Sequence, residues 1–557
     1  MNKLRVGLIV DDSFQSYLTH DLYLRSLMSN KYSIEYLIVQ KLSHNKNKSF
    51  IKYFFNFLKI HGLKRFIDKI AFAIIDRFEN IFVLRNIKFK KVLAKHSLTE
   101  FNVSKLYVNP LVSATSFVFS YSKEDIVKIE SLKLDVLIRC GTGILRGEIL
   151  KICRFGILSF HHANNDINRG IPPGFWEVFN REPSTGFVIQ KLLPELDGGD
   201  VIFKGSIATS FLYKINLCKL LIKSAEFLHL ILERLAHDPD SLKVYPKAPY
   251  AYPLYTTPTL SQLIWYVQKT FFYSITKIIR KILKKNFRWS VAYQSTDDWK
   301  NSSLWRSIVI KNPPFRYLAD PFVITYNSKT VIYVEDYDYR SSRGKISAYE
   351  INGKNYKELG VILEEDFHLS FPFLLRIKED IYMVPESHQN NDIRLYKCTN
   401  FPLKWELSKI LIKGLSAVDT LVFEYDKKWW ILTNKDSSQL GDHGSELHIY
   451  YSDSLNSENW TPHISNPVIF DSLCARNGGM IFSNNCIYRV FQKQGFDMYG
   501  ESLGISKITE LNTLNYKEEV LYDIPAKFMK NIKGTHTYSF DSSVLCFDFV
   551  RYEDYRK

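Results

Sequence analysis

The sequence predicts two folds in one chain, an α/β domain with a parallel, Rossmann-like sheet followed by an all-β domain of repeated units. Three observations carry this. Apolar runs such as "RVGLIVDD" and "IEYLIVQ" alternate with helical stretches through residues 1–205. From residue 289 the chain turns to short runs rich in Tyr, Phe, Trp and Val, broken by turn residues. Within that second part, similar phrases return about every 48 to 59 residues.

Taken in order, the first domain (1–205) opens with the strand "RVGLIVDD", a helix and the strand "IEYLIVQ". No GxGxxG follows the first strand, so a dinucleotide fingerprint is absent. A basic helical insertion occupies residues 46–95, and then come a strand, "KLDVLIRCG", and a helix, "RGEILKIC". The stretch "FGILSFHHANND", residues 155–166, reads as a buried parallel strand that delivers His161 and His162 to the rim of the sheet, the usual place for a ligand. Residues 206–288 form a helical appendage and a basic linker, with the Pro/Tyr-rich passage "YPKAPYAYPLYTTP" between their helices. In residues 289–557 the recurring phrases are "LADPFVI" at Asp320, "LSFPFLL" at Phe371, "AVDTLVF" at Asp419, "ARNGGMIF" at Asn477 and "GTHTYSF" at His536. One four-stranded blade per step makes an all-β five-bladed propeller, with "FRWSVAYQ" expected to close the last blade onto the first.

Composition narrows the function classes. With 46% apolar and 15% aromatic residues the chain is an ordered globular protein, too long for one core. "MNKLRVGLIVDDSF" lacks the apolar run of a secretory signal, and no segment approaches the roughly 20 apolar residues of a spanning helix, so a cytoplasmic location is expected. Seven scattered cysteines without a CxxC pair support neither a disulfide framework nor a zinc knuckle. No His/Asp/Glu cluster has metal-ligand spacing, and no metal is expected.

Charge is concentrated locally. Residues 46–95 carry 13 Lys or Arg against three acids, and residues 264–288 carry seven bases and no acid, which together exceed the whole chain's net +16. Both mix bases with large apolar residues at helical spacing. They admit three readings: a solvated face whose apolar side packs on a domain, a peripheral contact with an anionic membrane, or nucleic-acid binding, which no motif supports.

The stretch "FGILSFHHANNDINRGIPPGFWEVFNREPSTGFVIQKLLPELDGGDVIF", residues 155–203, resembles the formyltransferase family, whose pattern is G-x-I-N-x-H-x-S-L-L-P-x-x-R-G, then W, T-G-V and L-D-x-G-D. Gly156, His161, Arg169, Gly170, Pro173, Trp176, Thr185, Gly186, Leu196, Asp197, Gly199 and Asp200 fall into that frame. The resemblance covers about the first 200 residues. It implies a Rossmann-like fold that uses 10-formyltetrahydrofolate. Formyl transfer to an amine needs a base, an oxyanion donor and a group to manage the leaving nitrogen. The family uses His, Asn and Asp. His161 matches the histidine, and an imidazole titrates near neutrality. Asp197 matches the aspartate, but Ser159 stands where the asparagine is expected, and "ANND" replaces "SLLP". Asn164 or Asn165 would replace the missing amide, or His162 would assist; with Arg169 and Gly170 the two asparagines lie near the folate or acceptor.

The second domain resembles the five-bladed propellers of arabinanase- and fructosidase-type glycoside hydrolases, and the amino-terminal region of plant glucosamine inositolphosphorylceramide transferases, through "ADPF", "MVPES", "VDTLVF" and "GTHTYSF". In the hydrolases, acids from separate blades converge on a central funnel. That makes Asp320, Glu386 and Asp419 the candidate carboxylates. The resemblances together imply N-formylation of a nucleotide- or lipid-linked amino sugar in surface-polysaccharide synthesis, with the propeller holding glycan. The alternatives are a carbohydrate-processing enzyme acting through the propeller and a non-catalytic glycan-binding protein. Formyl transfer to initiator tRNA is disfavoured, because a propeller stands where that reaction's carboxy-terminal barrel is expected.

Overall fold

The computed structural model describes residues 3–42, 50–113, 117–194, 199–238, 242 and 244–556, excepting the side chains of 50–57 and 59–61. The chain forms two compact units, Met1–Thr270 and Phe271–Lys557. The helix Leu260–Ile282 contains the boundary.

A seven-stranded sheet organises the first unit. Its spatial order is Asp200–Ala208, Ser184–Lys191, Ile157–His161, Val136–Arg139, Leu4–Asp11, Tyr32–Gln40 and Ser104–Val108. The last five of these are mutually parallel, and Ser184–Lys191 runs against its two neighbours. "LRVGLIVD" is buried along almost its whole length, as a parallel strand covered on both faces must be. Strand order reverses at Leu4–Asp11, which has Tyr32–Gln40 on one side and Val136–Arg139 on the other. The crevice outside such a switch point is where open α/β sheets bind ligands. Helix Tyr17–Met28 starts at Ser16, whose hydroxyl accepts from the Thr19 N–H, and helix Lys123–Ser131 starts at Ser122 with Glu124 and Asp125 in its first turn. The segment "RGEILKIC", expected as a helix, forms a single 3-10 turn, Glu148–Lys151. Gly147 enters it at φ 89° without a side-chain cap, and Ile149 and Leu150 turn at once into the core. The basic insertion forms the helix Phe50–Val83, kinked at Gly62 (φ 78°, ψ 163°), and the short helix Ile87–Val92.

The second unit consists of five antiparallel sheets. Four of them take consecutive strands, from Arg316–Tyr326 to Tyr516–Pro525. The fifth joins the unit's two ends: Lys285–Ser295 pairs along its length with Val544–Asp554. The first strands of successive sheets are spatial neighbours in a closed cycle: Arg316–Tyr326, Ser370–Ile377, Ala417–Tyr425, Asn477–Ser483, Tyr538–Asp541 and back to Arg316–Tyr326. Between the sheets lie apolar clusters, one of which combines Phe322, Phe371, Phe423, Trp430 and Met480.

Candidate functional site

In the first unit, Arg139, Ser159 and Gln190 are register partners on three adjacent strands, so their side chains leave the sheet on one face. His161, two residues beyond Ser159, leaves on that face too. Arg139 Nη1 donates to Ser159 Oγ at 3.3 Å and its Nε to the Gly143 carbonyl at 2.8 Å. Among the described residues Arg139 has no ion-paired carboxylate, and burial pulls its pKa below the usual arginine range. Neighbouring Asp11, at the end of its strand, accepts from the Thr142 N–H at 3.1 Å and from Gln40 Nε2 at 3.1 Å.

The candidate residues between 159 and 170 that the structure describes make the following contacts. His161 Nε2 lies 3.3 Å from the Asn168 carbonyl. His162 Nε2 lies 3.3 Å from Ser224 Oγ, and burial, helped by His161, pushes His162 down to about 3, so it is neutral near pH 7. Asn164 Oδ1 accepts from the Asp166 N–H at 3.1 Å, which closes a local turn. Asn165 Nδ2 donates to Gln190 Oε1 at 3.2 Å. Arg169 donates from Nε to the Asn165 carbonyl at 2.9 Å and stacks on the Tyr250 ring at 4.5 Å. Gly170 presses on the Tyr255 backbone, where a Cβ would meet the carbonyl oxygen at 1.9 Å. Asp197 and Leu196 lie outside the described residues. The chain just past them returns to the site: a Cβ on Gly199 would stand 3.1 Å from Gln190 Oε1.

The second unit gathers buried acids at its ring of first strands. Asp320, Phe371 and Asp419 take positive φ of 49°, 43° and 48°, and the pairing register slips beside each of them and beside Asn477. These are bulges, which re-aim a side chain at the expense of a ladder hydrogen bond. Asp320 Oδ1 accepts from the Thr537 hydroxyl at 2.7 Å and Oδ2 from the Phe371 N–H at 3.3 Å. His536 bridges two carboxylates, with Nδ1 at 2.5 Å from Asp548 Oδ2 and Nε2 at 3.6 Å from Asp320 Oδ1, and it stacks on Trp289 at 3.7 Å. Asp419 Oδ2 accepts from Arg476 Nε at 2.6 Å and from Gln492 Nε2 at 2.9 Å. Glu386 Oε1 lies 2.7 Å from His388 Nδ1, and Glu335 Oε1 lies 3.5 Å from His368 Nε2.

The electrostatics separate these acids. Burial pushes Asp419 up to about 7 despite Arg476, with the charges of Glu386 and Asp320 adding to the rise. Burial also acts on Glu386, but the hydrogen bond and charge of His388, with Arg476 and His368, outweigh it and bring Glu386 down to about 2. Asp320 is raised, by burial first and by Asp548, against the pull of His536. Glu335 is held well above the carboxylate range by burial and by Asp320 and Glu386. The charge of Glu386 thus acts on both Asp320 and Asp419, and that of Asp320 on Asp419. Asp320, His536 and Asp548 each offer one ligand atom within 4.8 Å of the others, as do His20, His96 and Glu100. Either group has the donor chemistry of a cation site; His96 and Glu100 stand four residues apart, and His20 and Asp320 come from distant parts of the sequence.

Sequence reasoning passed over Arg139, Gln190, Glu335, Asp548 and Arg476. For Arg139 a signal existed, a charged residue at the end of the apolar run "VLIR". Gln190, Glu335 and Asp548 sit inside runs that read as ordinary strands, and nothing local marks them.

Residues 305–544 match the family described as glucosamine inositolphosphorylceramide transferase 1, N-terminal. Glucosamine inositolphosphorylceramide transferase 1 of Arabidopsis thaliana is 33% identical over 240 residues, which cover 42% of this chain and 31% of the relative. The chain thus spans about a third of that relative's length. Methionyl-tRNA formyltransferase of Clostridioides difficile is 37% identical over 86 residues, 15% of this chain and 28% of the relative. Among solved structures, a family 117 glycoside hydrolase from Zobellia galactanivorans covers 48% of this chain and 91% of its own, with 12% identity and a TM-score of 0.32. The sequence similarity runs to a carbohydrate-related transferase and, over a shorter stretch, to a formyltransferase.

Proposed function

We propose that the chain is an N-formyltransferase that moves a formyl group from 10-formyltetrahydrofolate to an amino sugar, nucleotide- or lipid-linked, with the second unit holding the glycan. The observation that carries this reading is the row Arg139–Ser159–Gln190 beside His161. Ser159 alone is a weaker oxyanion donor than the asparagine it replaces, but the Arg139 guanidinium bonded to it restores a donor set on the same face. The donor set therefore fits the folate, whose bound form supplies the activated formyl group. With the folate bound, His161 would take the proton of the acceptor amine and return it to the folate nitrogen as that nitrogen's bond to the formyl carbon breaks. Arg139 and Ser159 would donate hydrogen bonds to the oxygen that becomes negative, and the family frame gives Asp197 the task of charging and orienting the imidazole. Asn165 holds Gln190 in place, and Arg169 and Gly170 set the loop that borders the cofactor.

The second unit is read as a five-bladed β-propeller. Five sheets, the closed cycle of first strands and the pairing of Lys285–Ser295 with Val544–Asp554 support that architecture. The family that residues 305–544 match supports a carbohydrate ligand for it. Isothermal titration with a stable 10-formyltetrahydrofolate analogue, followed by a formyl-transfer assay on amino sugars, tests the reading. Saturable binding, and turnover lost in His161→Ala, is expected. Absence of binding at millimolar analogue overturns it.

A second reading places the chemistry in the propeller as a carbohydrate-processing site, because Asp419 and Glu386 have protonation states driven apart, the pattern of a paired acid and base. Under it Asp320→Asn or Asp419→Asn removes activity and His161→Ala does not.

A further inference from the structure

From residue 62 onward the helix Phe50–Val83 carries large apolar residues on two opposite faces. Along residues 62–83, one face is buried through Asp68, Glu79 and Val83. The opposite face presents Leu63, Ile67, Ile70, Ile74, Phe78 and Ile81, a spacing of three or four residues, with Ile74 63% and Phe78 61% exposed. All three acids of this helix are consumed on the inner side. Asp68 Oδ1 accepts from the Leu260 N–H at 2.7 Å, Asp76 pairs with Lys214, and Glu79 accepts from the Lys214 N–H at 2.8 Å and from the Tyr266 hydroxyl. The outward face is left with no acid, Lys64 and Arg77 of the same helix are exposed bases, and the chain that follows adds the exposed bases Arg85, Lys90 and Lys91. Through Leu260 and Tyr266 the helix Leu260–Ile282 is fastened to the same helix, and it too exposes Ile264, Trp265 and Val267 and contains no acid.

From this arrangement we infer that the outward face of residues 62–83 and 260–267 docks on an anionic lipid surface, with the helices lying in the interface plane. The occupant has to be apolar and negatively charged at once, and a bilayer surface with acidic headgroups is both. Nucleic acid offers no apolar layer for Ile70, Ile74 and Phe78. A second copy of this chain would bring Lys and Arg against Lys and Arg with no acid between them. Among the described residues no helix is long and apolar enough to cross a membrane, so the contact is one of lying on the surface.

The test is sedimentation of the full chain with phosphatidylcholine vesicles, with and without phosphatidylserine, at low and high salt, beside the double variant Ile74→Glu/Phe78→Glu. Both substituted side chains are exposed, and circular dichroism and thermal melting of the variant check its fold. Expected is binding at least about tenfold tighter to the phosphatidylserine vesicles, weakened by salt and lost in the folded variant. Wild-type protein that stays in solution with both vesicle types overturns the inference, as does binding that survives in the variant. Light scattering that shows a dimer which the variant converts to a monomer also overturns it, by assigning the face to a second copy. None of these outcomes depends on formyl transfer.

Discussion

Arg476 Nε stands 2.6 Å from Asp419 Oδ2, and Gln492 Nε2 approaches the same oxygen at 2.9 Å. Two donors on one oxygen favour the carboxylate, yet burial prevails and holds Asp419 up at about 7. The pair is therefore poised to change charge near neutral pH, while Glu386 stays ionised.

Asp419→Asn is expected to change the pH dependence of stability. A carboxyl whose folded pKa lies above its ordinary 3.8 stabilises the fold at low pH and loses that contribution as pH rises through the folded value, here about 7. The variant keeps a neutral side chain throughout. Relative to wild type it gains stability between pH 4 and pH 8, read by urea unfolding across that range; a constant difference contradicts the assignment.

Arg139→Met tests the replacement of the missing amide. Removing an oxyanion donor costs about 10²- to 10³-fold in kcat with little change in the acceptor KM, and Arg139→Lys recovers part of it. A change confined to KM assigns Arg139 to binding instead.

Glu79→Ala leaves the Lys214 N–H and the Tyr266 hydroxyl without their buried acceptor. The expected loss is about 1–3 kcal/mol by chemical denaturation. It comes with faster hydrogen exchange at the Lys214 amide.

Trp289→Ala removes the ring stacked on His536 and opens a cavity between Ala319 and Val550. A loss of about 3–5 kcal/mol is expected in thermal or denaturant melts, with a weaker hold on His536 between Asp320 and Asp548.

Local pattern carried much of this protein. Alternating apolar runs announce the strands of the first sheet, because a strand covered on both faces has to be apolar along its length. The recurring phrases mark Asp320, Phe371, Asp419 and Asn477, and each sits beside a bulge. The frame over residues 155–203 brought out Ser159 and His161 as neighbours on one strand face, since a period of two is written in the sequence itself.

Tertiary structure alone decided the rest. Arg139 meets Ser159, and His536 meets Asp548 and Asp320, only when separate strands pair or converge, and the pKa of each group follows from that burial and company. That Asn164 Oδ1 accepts from the Asp166 N–H and Asn165 Nδ2 donates to Gln190 is likewise written nowhere in "ANND" itself. The amphipathic helix was legible, yet both its faces are rich in apolar residues, so periodicity could not choose the buried one. The choice fell to Asp68, Asp76 and Glu79, whose carboxylates find donors only against Leu260, Lys214 and Tyr266, and that leaves the acid-free face outside.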